Sequence, residues 1–143
     1  MDPNNPVVNL CVAGMKEEAE GRRDQARLLF TQAWEQSTDD FEACIAAHYL
    51  ARHQKTPEEA RRWNQESLDR AAAVQDERTR DFYPSLYLNL GKSHEDLGNR
   101  DEARKFYELA ATCVNELTDG RYGNIVRHGI VRGLQRVSGS VNS

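Results

Sequence analysis

The chain has 143 residues, of which 38% are hydrophobic and 29% charged, and its formal net charge at pH 7 is −4. This length and composition predict one soluble domain, and the acidic balance gives no reason to expect nucleic acid or an anionic membrane as partner. No apolar run reaches the roughly 20 residues of a membrane span, and residues 1–6 lack the pattern of a signal peptide. The cysteines Cys11, Cys44 and Cys113 are odd in number and scattered, which favours a reducing cytoplasm over a disulfide framework.

Periodic apolar residues and helix-start signals predict an all-α fold of about seven helices. Asn5-Pro6 begins the first helix, and Thr56-Pro57 followed by two glutamates forms a capping box that begins the fourth. The predicted helices cover about 6–20, 23–36, 40 onwards, 57–74, 84 onwards, 99–118 and 121–137. After the fourth helix we expect an insertion with a longer loop around 75–83, and we expect residues 138–143 to be disordered.

The first six helices form three pairs that carry similar small and apolar residues. The third pair has Leu90-Gly91, Gly98, Ala103, Tyr107 and Ala110, and the first has Ala13-Gly14, Gly21, Ala26, Phe30 and Ala33 at the matching positions. In the second pair, His48 replaces the glycine and Asn64 the aromatic residue. The anchor alanines Ala26, Ala60 and Ala103 are 34 and 43 residues apart. Small residues allow two helices to approach closely, and a glycine allows the turn between them.

This pattern resembles the tetratricopeptide repeat, a helix–turn–helix unit of 34 residues. The resemblance implies a right-handed α-α superhelix with repeats at about 7–38, 41–77 and 84–118. A capping helix at 121–137 would complete a single domain over residues 1–137. It also implies a protein that binds a partner in a concave groove, which the first helix of each repeat lines.

The resemblance assigns particular side chains to that groove. The residues that we expect to contact a protein or peptide partner are Ile45, Tyr49, Arg52, His53, Leu88, Asn89 and Lys92, with the acids Glu18 and Glu95 on the same inward face. Arg52 and Lys92 would hold a carboxylate of the partner, and its side chains would lie on Ile45, Leu88 and Tyr49. In the alternative interpretation, the C-terminal helix fills the groove and Tyr49 belongs to the core.

One binding mode of the tetratricopeptide family is not expected. Repeats that grip the acidic tails of chaperones use lysine, asparagine and arginine at five positions of their first helices. Here those positions hold Cys11, Met15, Ala46, Ser85 and Asn89, of which only Asn89 is polar and large enough. We therefore predict that this carboxylate clamp is absent.

Cys44 and His48 lie four residues apart and share one face of a helix. A thiol and an imidazole so placed could form a nucleophile pair or half of a metal site. The favoured alternative is structural, because this face packs against the second helix of the repeat and no second Cys/His pair has ligand spacing. We predict no catalytic residue, metal or cofactor, since neither a phosphate-binding loop nor a strand pattern is present.

The C-terminal helix has a basic face and a pair of glycines. Arg121, Arg127, Arg132 and Arg136 could contact nucleic acid or an acidic partner, or could form a solvated face. Gly129 and Gly133 are four residues apart, which we interpret as close packing of a cap. The predicted function is a non-enzymatic adaptor that binds a protein or peptide. The alternatives are a self-assembling module, such as a homodimer, and an accessory factor that uses the basic helix.

Overall fold

The chain folds into seven α-helices and two short 3-10 helices, as described by a computed structural model for residues 4–74, 77–114 and 120–139. No strand occurs among these residues, so the prediction of an all-α fold is confirmed. The chain divides into two compact units, Met1–Gln75 (unit 1) and Asp76–Ser143 (unit 2). No helix of the described residues is both long and apolar enough to cross a membrane.

Unit 1 consists of two helical hairpins. Its elements are α1 (Pro6–Ala19), α2 (Arg23–Gln36), α3 (Asp40–Leu50), a 3-10 helix (Ala51–His53) and α4 (Pro57–Val74). Helix α1 pairs with α2 and α3 with α4, and α3 also packs against α1 and α2. Helix α1 begins at Pro6 because the Asn5 side chain caps it. This side chain accepts hydrogen bonds from the backbone N–H groups of Val7 and Val8 at 2.9 and 3.2 Å.

Unit 2 consists of one hairpin and a helix that packs against it. Its elements are a 3-10 helix (Glu77–Phe82), α5 (Tyr83–Asp96), α6 (Arg100–Cys113) and α7 (Arg121–Gly139). Helix α7 contacts both α5 and α6. The interpretation of its paired glycines is confirmed, because a Cβ on Gly129 would lie 3.0 Å from Leu88 and one on Gly133 only 2.6 Å from Tyr107.

The hairpins α1–α2 and α5–α6 turn in the same way. Gly21 and Gly98 have φ of +80° and +82°, a conformation that side chains with a Cβ rarely adopt. In both turns the residue after the glycine donates its backbone N–H to a carbonyl five residues earlier, Arg22 to Glu17 at 2.9 Å and Asn99 to His94 at 2.8 Å. This is the hydrogen-bond pattern of a Schellman helix end.

The same two hairpins also share one close helix–helix contact. A Cβ on Gly14 would overlap the ring of Phe30, and a Cβ on Gly91 would lie 2.7 Å from the ring of Tyr107. Both aromatic side chains are fully buried. The rings therefore fill the space that the glycines leave, as the repeated sequence pattern predicts.

The hairpin α3–α4 is packed differently. Asn64 and Ser67 are buried on α4, and the Ser67 hydroxyl donates to the Cys44 carbonyl at 2.8 Å. His48 is partly buried at the position of the missing glycine. Polar contacts thus replace the glycine–aromatic contact in this pair.

The helix bounds correct three expectations. Helix α6 ends at Cys113 rather than at residue 118, and residues 115–119 lie outside the described residues. Helix α7 ends at Gly139 rather than at residue 137, so Ser138 and Gly139 are helical, while 140–143 lie outside the described residues. The insertion expected as a loop around 75–83 holds the 3-10 helix Glu77–Phe82, and residues 75 and 76 lie outside the described residues. The single domain over 1–137 stays a prediction.

Candidate functional site

The residues assigned to the groove are divided between the two units. Ile45, Tyr49, Arg52 and His53 belong to α3 and the 3-10 helix of unit 1, and Leu88, Asn89 and Lys92 belong to α5 of unit 2. The structure brings Tyr49, Arg52 and His53 together within unit 1. It also places internal partners beside both predicted cations.

In unit 1 the predicted cation Arg52 and the neighbouring His53 are bonded to an acid of the same unit. Arg52 Nη2 donates to Glu18 Oε1 at 2.7 Å, and His53 Nε2 lies 2.6 Å from Glu18 Oε2. We call these three residues the Glu18 cluster. Arg52 also lies over the ring of Tyr49, 4.8 Å from its centroid. The positive charge expected to hold a partner's carboxylate is therefore already balanced by Glu18.

Two groove residues of unit 1 expose almost no surface. His53 is 7% exposed and Ile45 4%, and the ring of Phe30 lies 5.4 Å from that of His53. Tyr49 stacks on Phe30 at 5.1 Å and is only partly buried. The assignment of Ile45 and His53 to an open surface is thus not supported, because their side chains are enclosed.

Unit 2 contains a second acid bonded in the same manner. Arg136 of α7 donates from Nε to Glu95 Oε2 at 2.7 Å and from Nη2 to Oε1 at 3.0 Å, and the Tyr107 hydroxyl donates to Oε1 at 2.7 Å. We call these residues the Glu95 cluster. The bonds from Arg136 and, secondarily, Tyr107 hold the pKa of Glu95 below its usual value, although partial burial opposes them. Burial and the bond to Glu95 raise the pKa of the Tyr107 hydroxyl.

The groove residues of α5 have three different surroundings. Leu88 packs against α7, where it contacts Gly129 and the cluster around Val126 and Ile130. Within unit 2 the C-terminal helix thus covers part of the Leu88 side chain. Lys92 bonds to Asp96 at 3.0 Å with 56% of its side chain exposed. Asn89 is partly buried, and its carbonyl accepts from Ser93 at 2.9 Å.

The surroundings of Cys44 and His48 do not favour chemistry. Burial raises the pKa of the Cys44 thiol, although its contact with the Ser67 hydroxyl at 3.6 Å opposes this. Burial and the charge of Arg52 lower the pKa of His48 to about 4. A thiolate is therefore disfavoured. Among the described residues no group of three or more His, Cys, Asp or Glu side chains is placed to hold a metal.

A tryptophan pair on α2 and α4 was not predicted from the sequence. The rings of Trp34 and Trp63 lie 4.9 Å apart at 88°, and the Arg70 guanidinium lies 5.5 Å from the centroid of the Trp34 ring. Arg70 bonds to Asp40 at 2.9 Å and to Glu66 at 2.7 Å. We call Trp34, Trp63 and Arg70 the tryptophan corner.

Two open clefts flank the tryptophan corner. The larger measures about 550 Å³ and is lined by Trp34, Glu35, Ser37, Thr38, Asp39, Asp40, Ala43 and Arg70. The smaller measures about 300 Å³ and is lined by Trp34, Glu59, Arg62, Trp63 and Glu66. Carboxylates outnumber cations in both linings. The corner and the two clefts therefore combine aromatic surface with negative charge.

Comparison with known proteins assigns no family to the chain. No protein-family model matches it. No match is found among curated proteins or among solved structures.

Proposed function

We propose that the chain is a non-enzymatic, cytoplasmic adaptor of the tetratricopeptide type, which binds a protein or peptide segment. The recurrence of one hairpin design in both units carries this proposal. The glycine–aromatic contact and the positive-φ turn glycine occupy matching places in α1–α2 and α5–α6. Stacked hairpins of this kind form a superhelix that we propose to be right-handed, and such arrays use extended surfaces for binding.

Within that adaptor we propose Lys92 as the cation that meets a carboxylate of the partner. Its side chain is 56% exposed, and its ion pair with Asp96 joins two largely exposed groups. Such a pair contributes about 0.2–1 kcal/mol and yields readily to a competing carboxylate. Arg52 is less suited, because Glu18 holds it together with the buried His53. Asn89, on the same helix, is the second proposed binding residue of unit 2, and Tyr49 is proposed as a separate contact of unit 1.

The test is co-purification from a lysate of the native host with the Lys92→Glu variant. We expect a protein that wild type retains to be lost, because the reversed charge repels the partner's carboxylate. Lys105→Glu is the matched control, since Lys105 is exposed on α6 and the charge change is identical. Equal recovery of that protein with both variants would contradict the role of Lys92. Circular dichroism of each variant would verify that the helices remain intact.

A second candidate function is self-association through α7. Ile125 and Val131 are 61% and 54% exposed on this helix, whereas Val126 and Ile130 are buried. Pairing of α7 between two copies would cover the exposed side chains. A monomer mass by light scattering at all micromolar concentrations would eliminate this candidate. The nucleic-acid alternative is weakened, because Arg136 is bonded to Glu95.

A further inference from the structure

We propose that the tryptophan corner and the larger cleft beside it form a second binding surface, which takes an arginine or lysine side chain of a basic peptide segment. This surface lies on α2, α3 and α4 of unit 1. It includes none of the residues that we assign to the adaptor's partner. The two binding functions can therefore be tested separately.

The aromatic geometry supports a cationic occupant. Trp34 and Trp63 are both only partly buried, and their rings meet at 88°. Together they line the smaller cleft, and Trp34 lines the larger cleft as well. Arg70 already places its guanidinium 5.5 Å from the Trp34 centroid. The ring thus accepts a cation in this structure. Tryptophan binds cations through its ring face more strongly than the other aromatic residues do.

The charges around the larger cleft favour the same occupant. Glu35, Asp39 and Asp40 line it against the single cation of Arg70. That cation is shared between Asp40 and Glu66, which leaves negative charge in excess. Glu35 is exposed and has no ion pair among the described residues. A partner's guanidinium or ammonium group would balance it, and a bidentate arginine is the best match for a carboxylate.

The same charges argue against other occupants. Phosphate groups of a nucleic acid or an anionic lipid would be repelled by the carboxylates of both clefts. A purely apolar segment would remove those carboxylates from water without a counter-charge, which is costly. The cleft volume of about 550 Å³ lies in the range that binding sites for small groups usually have. A single long basic side chain with its flanking backbone fits this description.

The chain itself supplies the signal for a test. It contains two tryptophans and five tyrosines, and both tryptophans are in the corner. Fluorescence excited at wavelengths that tyrosine does not absorb therefore reports on this surface alone. The probe is a short end-blocked peptide in which arginine and alanine alternate, and its control has glutamate in place of arginine. We expect a saturable fluorescence change with the arginine peptide that weakens as salt is raised, and none with the glutamate peptide. Equal changes with both peptides would overturn the proposal.

Variants locate the binding without altering the fluorophores. Glu35→Lys should weaken the arginine peptide by about threefold or more, from the usual strength of exposed charge pairs. Glu108→Lys, an identical change at an exposed position of α6, should leave the affinity unchanged. Lys92→Glu should also leave it unchanged, which separates this surface from the proposed adaptor site. Unaltered affinity in Glu35→Lys would place the peptide elsewhere and overturn the proposal.

Two further measurements test whether the peptide binds at the tryptophans and whether a second copy of the chain binds there instead. Trp34→Phe should reduce the affinity about twofold while circular dichroism reports an unchanged fold, because phenylalanine offers a weaker face to a cation. An unaltered affinity in a folded Trp34→Phe protein would count against the corner. A fluorescence shift that depends on protein concentration, with no response to the arginine peptide, would assign the surface to a second copy of the chain instead.

Discussion

The hairpin α1–α2 of unit 1 and the hairpin α5–α6 of unit 2 bring their two helices together through the same kind of contact, but with different side chains. Each fits a buried aromatic ring against a glycine of the preceding helix, Phe30 against Gly14 and Tyr107 against Gly91. Tyr107 differs from Phe30 by a hydroxyl group. That hydroxyl donates a hydrogen bond to Glu95, an acid near the C-terminal end of α5. The aromatic ring therefore sets the distance between the two helices, whereas the hydroxyl donates a hydrogen bond to the carboxylate.

Glu18 and Glu95 each accept hydrogen bonds from two side chains, and the second of these donors differs between the units. Their side chains are 22% and 21% exposed, and each is bonded to an arginine from a later helical segment. A carboxylate enclosed to this extent needs more than one donor to balance its lost hydration. In unit 2 the Tyr107 hydroxyl supplies it, and in unit 1, where Phe30 has no hydroxyl, His53 lies in its place. The glutamate is therefore common to both units, whereas the residue that supplies its second hydrogen bond differs.

The hairpin α3–α4 departs from both. His48 and Asn64 stand where the others have glycine and an aromatic ring, and α4 contributes the buried Ser67. Its helices are joined by hydrogen bonds such as Ser67 to the Cys44 carbonyl. Each hydrogen bond contributes about 1 kcal/mol, less than the burial of a large ring. The middle hairpin should therefore respond differently from the other two to substitution and to pH.

Truncation of the buried rings should produce the largest effect. We expect Phe30→Ala and Tyr107→Ala each to lower the free energy of unfolding by about 3–5 kcal/mol, because each leaves a cavity against a glycine. Asn64→Ala at the matching place should lower it by only about 1–2 kcal/mol, the cost of a buried polar contact. Urea unfolding followed by circular dichroism measures all three. An equal loss at Asn64 would remove the distinction between the hairpins.

Acid should affect the middle hairpin through His48. Burial, aided by the charge of Arg52, lowers its pKa to about 4 from the ordinary histidine value of 6.5. The unfolded chain then binds a proton that the folded chain rejects, so the unfolding free energy falls as pH drops from about 6.5 to about 4, by up to about 3 kcal/mol. Unfolding curves across this range should show a smaller fall in His48→Gln than in wild type, and the remainder comes from acids with a lowered pKa such as Glu95. His128→Gln, on the exposed face of α7, is the control that should retain it.

The sequence predicts the helices well because their ends carry local signals. The predicted bounds of α2 and α4 agree with the structure at both ends. A turn glycine precedes α2, and Thr56-Pro57 marks the start of α4. Helix α7 is predicted two residues short, since Ser138 and Gly139 are small and resemble a tail. Helix continuation there depends on Val137, which is buried against Tyr107. That contact is tertiary and has no local signature.

The side-chain clusters could be predicted only in part. The resemblance places Glu18 and Glu95 on the face that carries Arg52, yet the bonded partners lie 34 and 41 residues away. Helical periodicity assigns a residue to a face but does not say which side chains meet across a turn. The tryptophan corner was missed for the same reason, because Trp34 and Trp63 come from different hairpins.

Substitution of the glycines should give the smallest of these effects and the sharpest contrast. Alanine favours a helix over glycine by about 1 kcal/mol, so any loss must come from overlap of the added Cβ. At Gly14 and Gly91 that atom would meet a ring enclosed on all sides, and we expect a net loss of about 1–2 kcal/mol. At Gly129 it would lie 3.0 Å from a terminal methyl of the partly exposed Leu88, which can move. Gly129→Ala should therefore be neutral or stabilising in urea unfolding; a loss there equal to that of Gly91→Ala would mean that α7 is packed as rigidly as the hairpin itself.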